Sequence, residues 1–272
     1  FTVTRLGEEK FLIITGTAFG QHDSSWLSLN MPEDGSVVIE DVGSQYACIG
    51  LWGPKARKIL EKVTTDDVSN AAFPYMTAKR INVGDVPALA SRVTYVGELG
   101  WEFYCPMEYG VRLWDTLWEA GIPEGMVAAG YKAIDTLRLE KGYRYWSSEI
   151  SPDYNPYEAG LGFAVKLDKP DFIGKDALVE AKKKGLTRKL VCMTLADDRT
   201  IALGKEPIRS GEDIIGWVAA GGFGYSVMKS LVYAYVPMEY SKVGTKLTIE
   251  FFGERMAAEV IASPVWDPKG ER

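Results

Sequence analysis

Near residue 189 the texture of the sequence changes, and that change limits the chain to two kinds of packing. Before it, strand-like runs at 11–18, 37–42, 47–52, 88–95 and 101–105 are separated by segments with helical spacing. Val111, Trp114, Leu117 and Trp118 fall at three- and four-residue intervals and mark one amphipathic helix, stopped by Gly121 with Pro123 beyond it. Pro54 opens a second helix with Ile59, Leu60 and Val63 on its buried face, and a third runs from Ala129 to Leu139 and ends at Gly142. After the change, 190–195, 214–218, 231–236, 247–252 and 256–261 read as short strands joined by glycine- or proline-containing turns. Lys182-Lys183-Lys184-Gly185 closes the intervening helix, its cations placed where the helix dipole favours them. The expected fold is α+β: a mixed sheet-and-helix region over 1–186, then a small β-barrel over 187–272.

Composition removes several function classes. The 272 residues are 46% hydrophobic and 25% charged, which describes an ordered chain. No run reaches the roughly 18 uninterrupted apolar residues of a membrane span, so no membrane partner is expected. Lysine plus arginine number 31 against 37 acidic residues, a net charge of −6, the wrong sign for neutralising a nucleic-acid backbone. Cys48, Cys105 and Cys192 are too scattered for a disulfide framework or a C-x-x-C pair and read as reduced core thiols. With His22 as the single histidine and no carboxylate cage at a recognisable spacing, no metal site is expected. The chain opens on Phe1 without methionine, in residues that read as a strand and not as a signal peptide, and so is expected to be cut from something longer.

Motif by motif, most of the chain reads as structure. His22 sits between Gln21 and Asp23 with Ser24 and Ser25 beside it, but a catalytic triad is assembled in space, and Asp23 or Ser24 is better read as a helix N-cap. Gly221-Gly222-Phe223-Gly224-Tyr225-Ser226 lacks the Gly-Lys-Ser/Thr ending and the G-x-G-x-x-G spacing of phosphate loops and reads as a turn between barrel strands. No dinucleotide fingerprint is present, so any hydride chemistry would belong to another segment. The informative stretch is Val93 to Pro106, two strand halves about a glycine-flanked turn. Alternation puts Glu102 and Tyr104 on one strand face and Phe103 on the other. If that face lines a cavity, the Glu102 carboxylate can accept two parallel hydrogen bonds from the N–C–N edge of a ring such as a pterin, with tyrosines walling the ring. The same pattern is met by a solvated strand residue under amphipathic cover.

Ordered segments along the whole chain carry a resemblance. They are Thr2-Val3-Thr4-Arg5-Leu6, Thr15-Gly16-Thr17-Ala18 with Gln21-His22-Asp23, Tyr95 to Glu102, Asp135 to Arg144, Tyr157 to Gly162 with Val165 to Asp168, Tyr233 to Pro237 and Pro264 to Pro268. Together they resemble the glycine-cleavage T-protein (aminomethyltransferase) superfamily, nearest to the tetrahydrofolate-binding C-terminal region of dimethylglycine and sarcosine dehydrogenases and oxidases. The resemblance implies folate-dependent one-carbon transfer. An aminomethyl or iminium carbon from an amine donor would be captured on tetrahydrofolate, giving 5,10-methylenetetrahydrofolate in a site closed to water. It implies FAD only in a domain absent from this chain, a possible flavoprotein domain or subunit as partner, and a cytoplasmic protein, or one of the mitochondrial matrix in a eukaryote.

Carried over by position, Tyr95 and Glu102 match the family's pterin-contacting tyrosine and glutamate, and Tyr143 a tyrosine near the folate in the oxidase branch. Tyr104 joins them by strand parity. The family's aspartate beside the reacting folate nitrogens falls upstream of Phe1, which leaves the catalytic residue unassigned and implies an N-terminally incomplete region that would bind folate poorly and be inactive alone, unless another polypeptide piece supplied the missing strands. Ala133-Ile134-Asp135 stands where aminomethyltransferases have Ala-Arg-Asp, a departure toward the oxidase branch. Arg138 and Glu140 are read as structural, ordering Gly142 and Tyr143. Trp266 would close the folate pocket or fill barrel core. The alternative is a non-catalytic folate-binding regulatory or assembly protein of the same fold; such relatives carry a Lys-Gly-Cys signature, and no cysteine here follows a Lys-Gly pair.

Overall fold

The computed structural model describes residues 1–270, and they form two compact units. Of these, one comprises 1–94 with 98–128, the other 95–97 with 129–270.

In the first unit, β1 (Thr2–Arg5) and β2 (Phe11–Ile14) form an antiparallel pair, followed by α1 (Gly20–Leu29). The central element is an antiparallel sheet of β3 (Tyr46–Trp52), β4 (Ala78–Val83), β5 (Val86–Ser91) and β6 (Gly100–Pro106), in the order β3-β6-β5-β4. Strand parity sorts its faces. Trp101, Phe103 and Cys105 of β6 and Val86, Ala88 and Ala90 of β5 point to one side. There they pack with Ile59 and Leu60 of α2 (Ala56–Leu60) and Leu113 and Leu117 of α3 (Gly110–Gly121). Each such large apolar side chain taken out of water contributes about 1.5–3 kcal/mol, and this core fixes the plane from which the opposite face projects.

The second unit contains α4 (Tyr131–Glu140), α5 (Lys175–Lys184) and a closed barrel. The barrel strands are β7 (Arg188–Leu195), β8 (Pro207–Ser210), β9 (Asp213–Gly224), β10 (Lys229–Pro237), β11 (Lys246–Phe251) and β12 (Glu254–Ile261), closed in the order β10-β7-β12-β11-β8-β9. Closure leaves no unpaired strand edge. Val191, Met193, Ile208, Val232, Val236 and Ile249 fill the interior. On its outer side Tyr233, Tyr235, Leu190 and Cys192 pack with Leu139 of α4 and with Ala159. A mixed sheet-and-helix region followed by a barrel is the α+β architecture expected from the sequence.

Several local expectations are corrected. Residues 37–42 are irregular, with Val37, Val38 and Ile39 exposed: apolar alternation without a partner strand makes no sheet. Gly221 and Gly222 lie inside β9, not in a turn; a Cβ at Gly221 would collide with the carbonyl oxygen of Ala202, so close backbone approach explains the glycine. The helix at 110–121 exists, but it buries Leu113 and Leu117 while Val111 and Trp114 stay exposed, Trp114 stacked on Trp118 at 5.8 Å. Asp23 is in the first turn of α1 and does not cap it; its carboxylate accepts from the Thr15 hydroxyl and lies 2.9 Å from His22 Nδ1. Cys105 and Cys192 are buried, whereas Cys48 is exposed on β3, because β3 turns Ala47, Ile49 and Leu51 toward the core instead.

Candidate functional site

The sheet face opposite the core in the first unit carries the concentration of polar chemistry. Register places Gly50, Glu102, Ser91 and Ala78 in one row across β3, β6, β5 and β4, and Cys48, Tyr104, Leu89 and Arg80 in the next. The parity expected for Glu102 and Tyr104 holds, and the two are joined directly: the Tyr104 hydroxyl donates to Glu102 Oε2. Tyr104 is 7% exposed and Glu102 half-buried, so the bond anchors the carboxylate at a point that solvent still reaches. Burial and then the neighbouring Glu102 charge push the Tyr104 phenol well above its ordinary range, keeping it a donor. Desolvation and the same carboxylate push the Cys48 thiol up to about 11, although the residue as a whole is exposed. Across from Glu102, Ser91 is 2% exposed and its buried Oγ has no hydrogen-bond partner. A lone buried hydroxyl beside an anchored carboxylate is the signature of a polar site whose hydrogen bonds the protein alone does not complete.

The other two expected residues belong to the second unit. Tyr95 and Tyr143 stack with ring centroids 6.2 Å apart and planes inclined by 25°. Tyr95 donates its hydroxyl to the Arg144 carbonyl at 2.8 Å, and burial, outweighing the nearby Arg138 charge, pushes its phenol up to about 12. Arg138 explains how Tyr143 is held. Its guanidinium is 3% exposed, pairs with the buried Glu149 and with Asp135 at 2.7 Å, and donates to the Tyr143 carbonyl at 3.1 Å. Glu140 is structural too: its carboxylate accepts from Ser226 N at 2.7 Å, Ser226 Oγ at 2.8 Å and Val227 N at 3.1 Å. The Glu140 carbonyl also takes the backbone N–H groups of Val265 and Trp266, which leaves Trp266 half-buried beside α4 and outside the barrel interior.

The structure thus brings Glu102 and Tyr104 together, and separately Tyr95 and Tyr143. An open groove of about 620 Å³ elsewhere on the first unit contains none of them; it is lined by Lys62, Asp85, Arg112 and Glu119, and Arg112 is already paired with Asp85 at 3.0 Å. Sequence reasoning passed over Ser91 and Trp52. Trp52 shares the face of Glu102, and its indole N–H donates to the Val93 carbonyl at 3.0 Å. The available signal was the i, i+2 spacing of Cys48, Gly50 and Trp52; what placed them beside Glu102 is register, which a single strand does not reveal.

Among the described residues no helix is long and apolar enough to cross a membrane. Comparison with known proteins agrees along nearly the whole chain. The GCVT N-terminal domain matches residues 1–169 and the glycine cleavage T-protein C-terminal barrel domain matches residues 188–267. Human mitochondrial dimethylglycine dehydrogenase is 41% identical over 266 residues, 97% of this chain but 31% of the dehydrogenase. An aminomethyltransferase of Symbiobacterium thermophilum is 37% identical over 268 residues, covering 97% of this chain and 71% of that protein. The crystal structure of the glycine cleavage system aminomethyltransferase T of Bartonella henselae superposes with a TM-score of 0.82 at 26% identity, over 97% of this chain and 70% of that one. Fold, barrel and sequence agree, and the chain belongs to the glycine cleavage T-protein family.

Proposed function

We propose that the chain is the folate-binding part of a one-carbon transferase, which captures an aminomethyl or iminium carbon on tetrahydrofolate to give 5,10-methylenetetrahydrofolate. The observation that carries this reading is the half-buried Glu102 carboxylate, anchored by Tyr104 and faced by the unpartnered Ser91 hydroxyl. A carboxylate with one oxygen fixed by a phenol keeps lone pairs on both oxygens, enough to accept the paired N–H groups of an amino-pyrimidine edge. Tyr104 would hold Glu102 in register and Glu102 would grip the ring edge; by the family positions they match, Tyr95 would contact the pterin and Tyr143 would lie near the folate. When bound, the folate supplies the nucleophilic nitrogen. The donor would be an N-methylated amino acid or its oxidised product, supplied by a flavoprotein domain or subunit that would hold any FAD.

The test is calorimetric titration of the chain with 5-formyltetrahydrofolate, a stable reduced folate. Weak binding is expected of the chain alone, and Glu102→Ala should weaken it further by on the order of 2–3 kcal/mol, the cost of removing charged hydrogen bonds from a partly buried site; no heat from the wild type would overturn the folate reading. Equal binding by both proteins would overturn the assignment of Glu102. Binding without methylene transfer, once a flavoprotein and an amine donor are supplied, would point instead to a regulatory ligand.

A further inference from the structure

We propose that Trp52 is the aromatic platform of the Glu102 site, a binding residue whose indole face receives the planar ring that Glu102 grips; this rests on the folate reading above. Two glycines frame the indole. Gly50 is the direct cross-strand partner of Glu102, and Gly100 that of Trp52. A Cβ added at Gly50 would run into the six-membered ring of Trp52, and one at Gly100 into Trp52 Cδ1 and the Leu51 carbonyl. The indole therefore lies folded over the bare backbone of Gly50, in the very position where any other residue would raise a side chain opposite the carboxylate. Neither glycine is there for a turn, since neither has positive φ. Both clear floor space for the ring.

The ring is also fixed. Its one polar atom, Nε1, is satisfied at 3.0 Å by the Val93 carbonyl. What it offers a ligand is then only its π surface. Trp52 is half-buried and lies outside the core cluster that contains its neighbour Leu51, so core packing does not account for it. Directly opposed residues of an antiparallel pair stand about 4.5–5.5 Å apart, so a flat ring held at its edge by Glu102 lies within stacking reach of an indole seated over Gly50. The electron-rich indole face and the carboxylate share one preference, a flat, electron-poor heterocycle with N–H donors along its edge. A pterin has that shape, and the aminobenzoyl and glutamyl parts of a folate would contribute nothing to this contact.

The experiment is titration of the chain with 5-formyltetrahydrofolate, reading Kd by calorimetry for the wild type, Glu102→Gln, Trp52→Leu, Trp52→Phe and Gly50→Ala. Stacking on an aromatic side chain carries a substantial share of a flat ring's affinity, so Trp52→Leu should raise Kd by roughly tenfold or more. Trp52→Phe should stay within about threefold of wild type, because a ring remains. Gly50→Ala keeps the tryptophan but lifts it, and should weaken binding as Trp52→Leu does. If Glu102→Gln weakens binding while Trp52→Leu binds like wild type, the platform is refuted and the folate site stands. If no variant, Glu102→Gln included, differs from wild type, the folate site itself is misplaced and the platform falls with it. Should Trp52→Leu fail to show a cooperative melt, wild-type protein carrying 5-fluorotryptophan decides: its Trp52 ¹⁹F resonance, identified by its loss in Trp52→Phe, must shift on folate addition, and an unmoved resonance overturns the proposal.

Discussion

Strands β6 and β10 are both almost wholly buried and both carry tyrosines, yet they use them in opposite ways. In β10 the outward Tyr233 and Tyr235 spend their hydroxyls on backbone carbonyls, of Leu139 at 2.9 Å and Glu149 at 2.7 Å, and the barrel wall is sealed. In β6, Tyr104 gives its hydroxyl to Glu102, a side chain that water still reaches. A buried phenol bound to a carbonyl is a fastener; bound to a reachable carboxylate, it prepares a site. The residue type is the same, and the acceptor decides which role it takes.

The comparison breaks most visibly at Phe103 and Glu102, neighbours on β6 with opposite orientation. Phe103 is fully buried in the core, so Phe103→Ala should cost about 3–5 kcal/mol in urea unfolding, whereas Glu102→Ala should cost under about 1 kcal/mol and be felt in binding. Similar stability losses from the two would show that both faces of the sheet are structural. Next come the two glutamates. Glu140→Gln leaves shape intact but weakens three hydrogen bonds into the 226–227 turn, and should lower stability by about 2 kcal/mol, while Glu102→Gln leaves the melting temperature within a few degrees. The tyrosines sharpen the contrast further: Tyr235→Phe should cost about 1 kcal/mol of stability, and Tyr104→Phe about 1 kcal/mol of folate binding instead.

The smallest effect concerns Cys48. With its thiol raised to about 11, partly by the Glu102 charge, the thiolate is scarce at pH 8 and grows tenfold per pH unit until pH approaches 11. Alkylation by iodoacetamide should follow that rise. Glu102→Gln removes the charge that disfavours the thiolate, so it should lower the pKa and speed alkylation severalfold at pH 8. An unchanged rate would mean that Glu102 does not govern the electrostatics of this face.

Much of the fold is legible in the sequence. The helix at 110–121, the close of α5 at Gly185 and most of the barrel strands follow from period and punctuation, which are local properties of the chain. The shared face of Glu102 and Tyr104 follows from parity alone. Other features depend on pairing. The short β8 has too few residues to show alternation, and 37–42 shows alternation without finding a partner. Ser91 and Trp52 gain meaning only from the register that sets them beside Glu102, and the sequence holds no record of which residues of two strands will meet. The family resemblance proposed Tyr95, Glu102 and Tyr143 by another route, matching positions to a shared motif, which pattern reading along one chain does not do.

Glu140, at the end of α4, holds the turn at 226–227 with its side chain and the segment at 265–266 with its carbonyl. Three stretches far apart along the polypeptide are thus riveted through a single amino acid. Deuterium should therefore enter the amides of Ser226 and Val227 faster in Glu140→Gln, while those of Val265 and Trp266, which bond the main-chain carbonyl, should keep most of their protection.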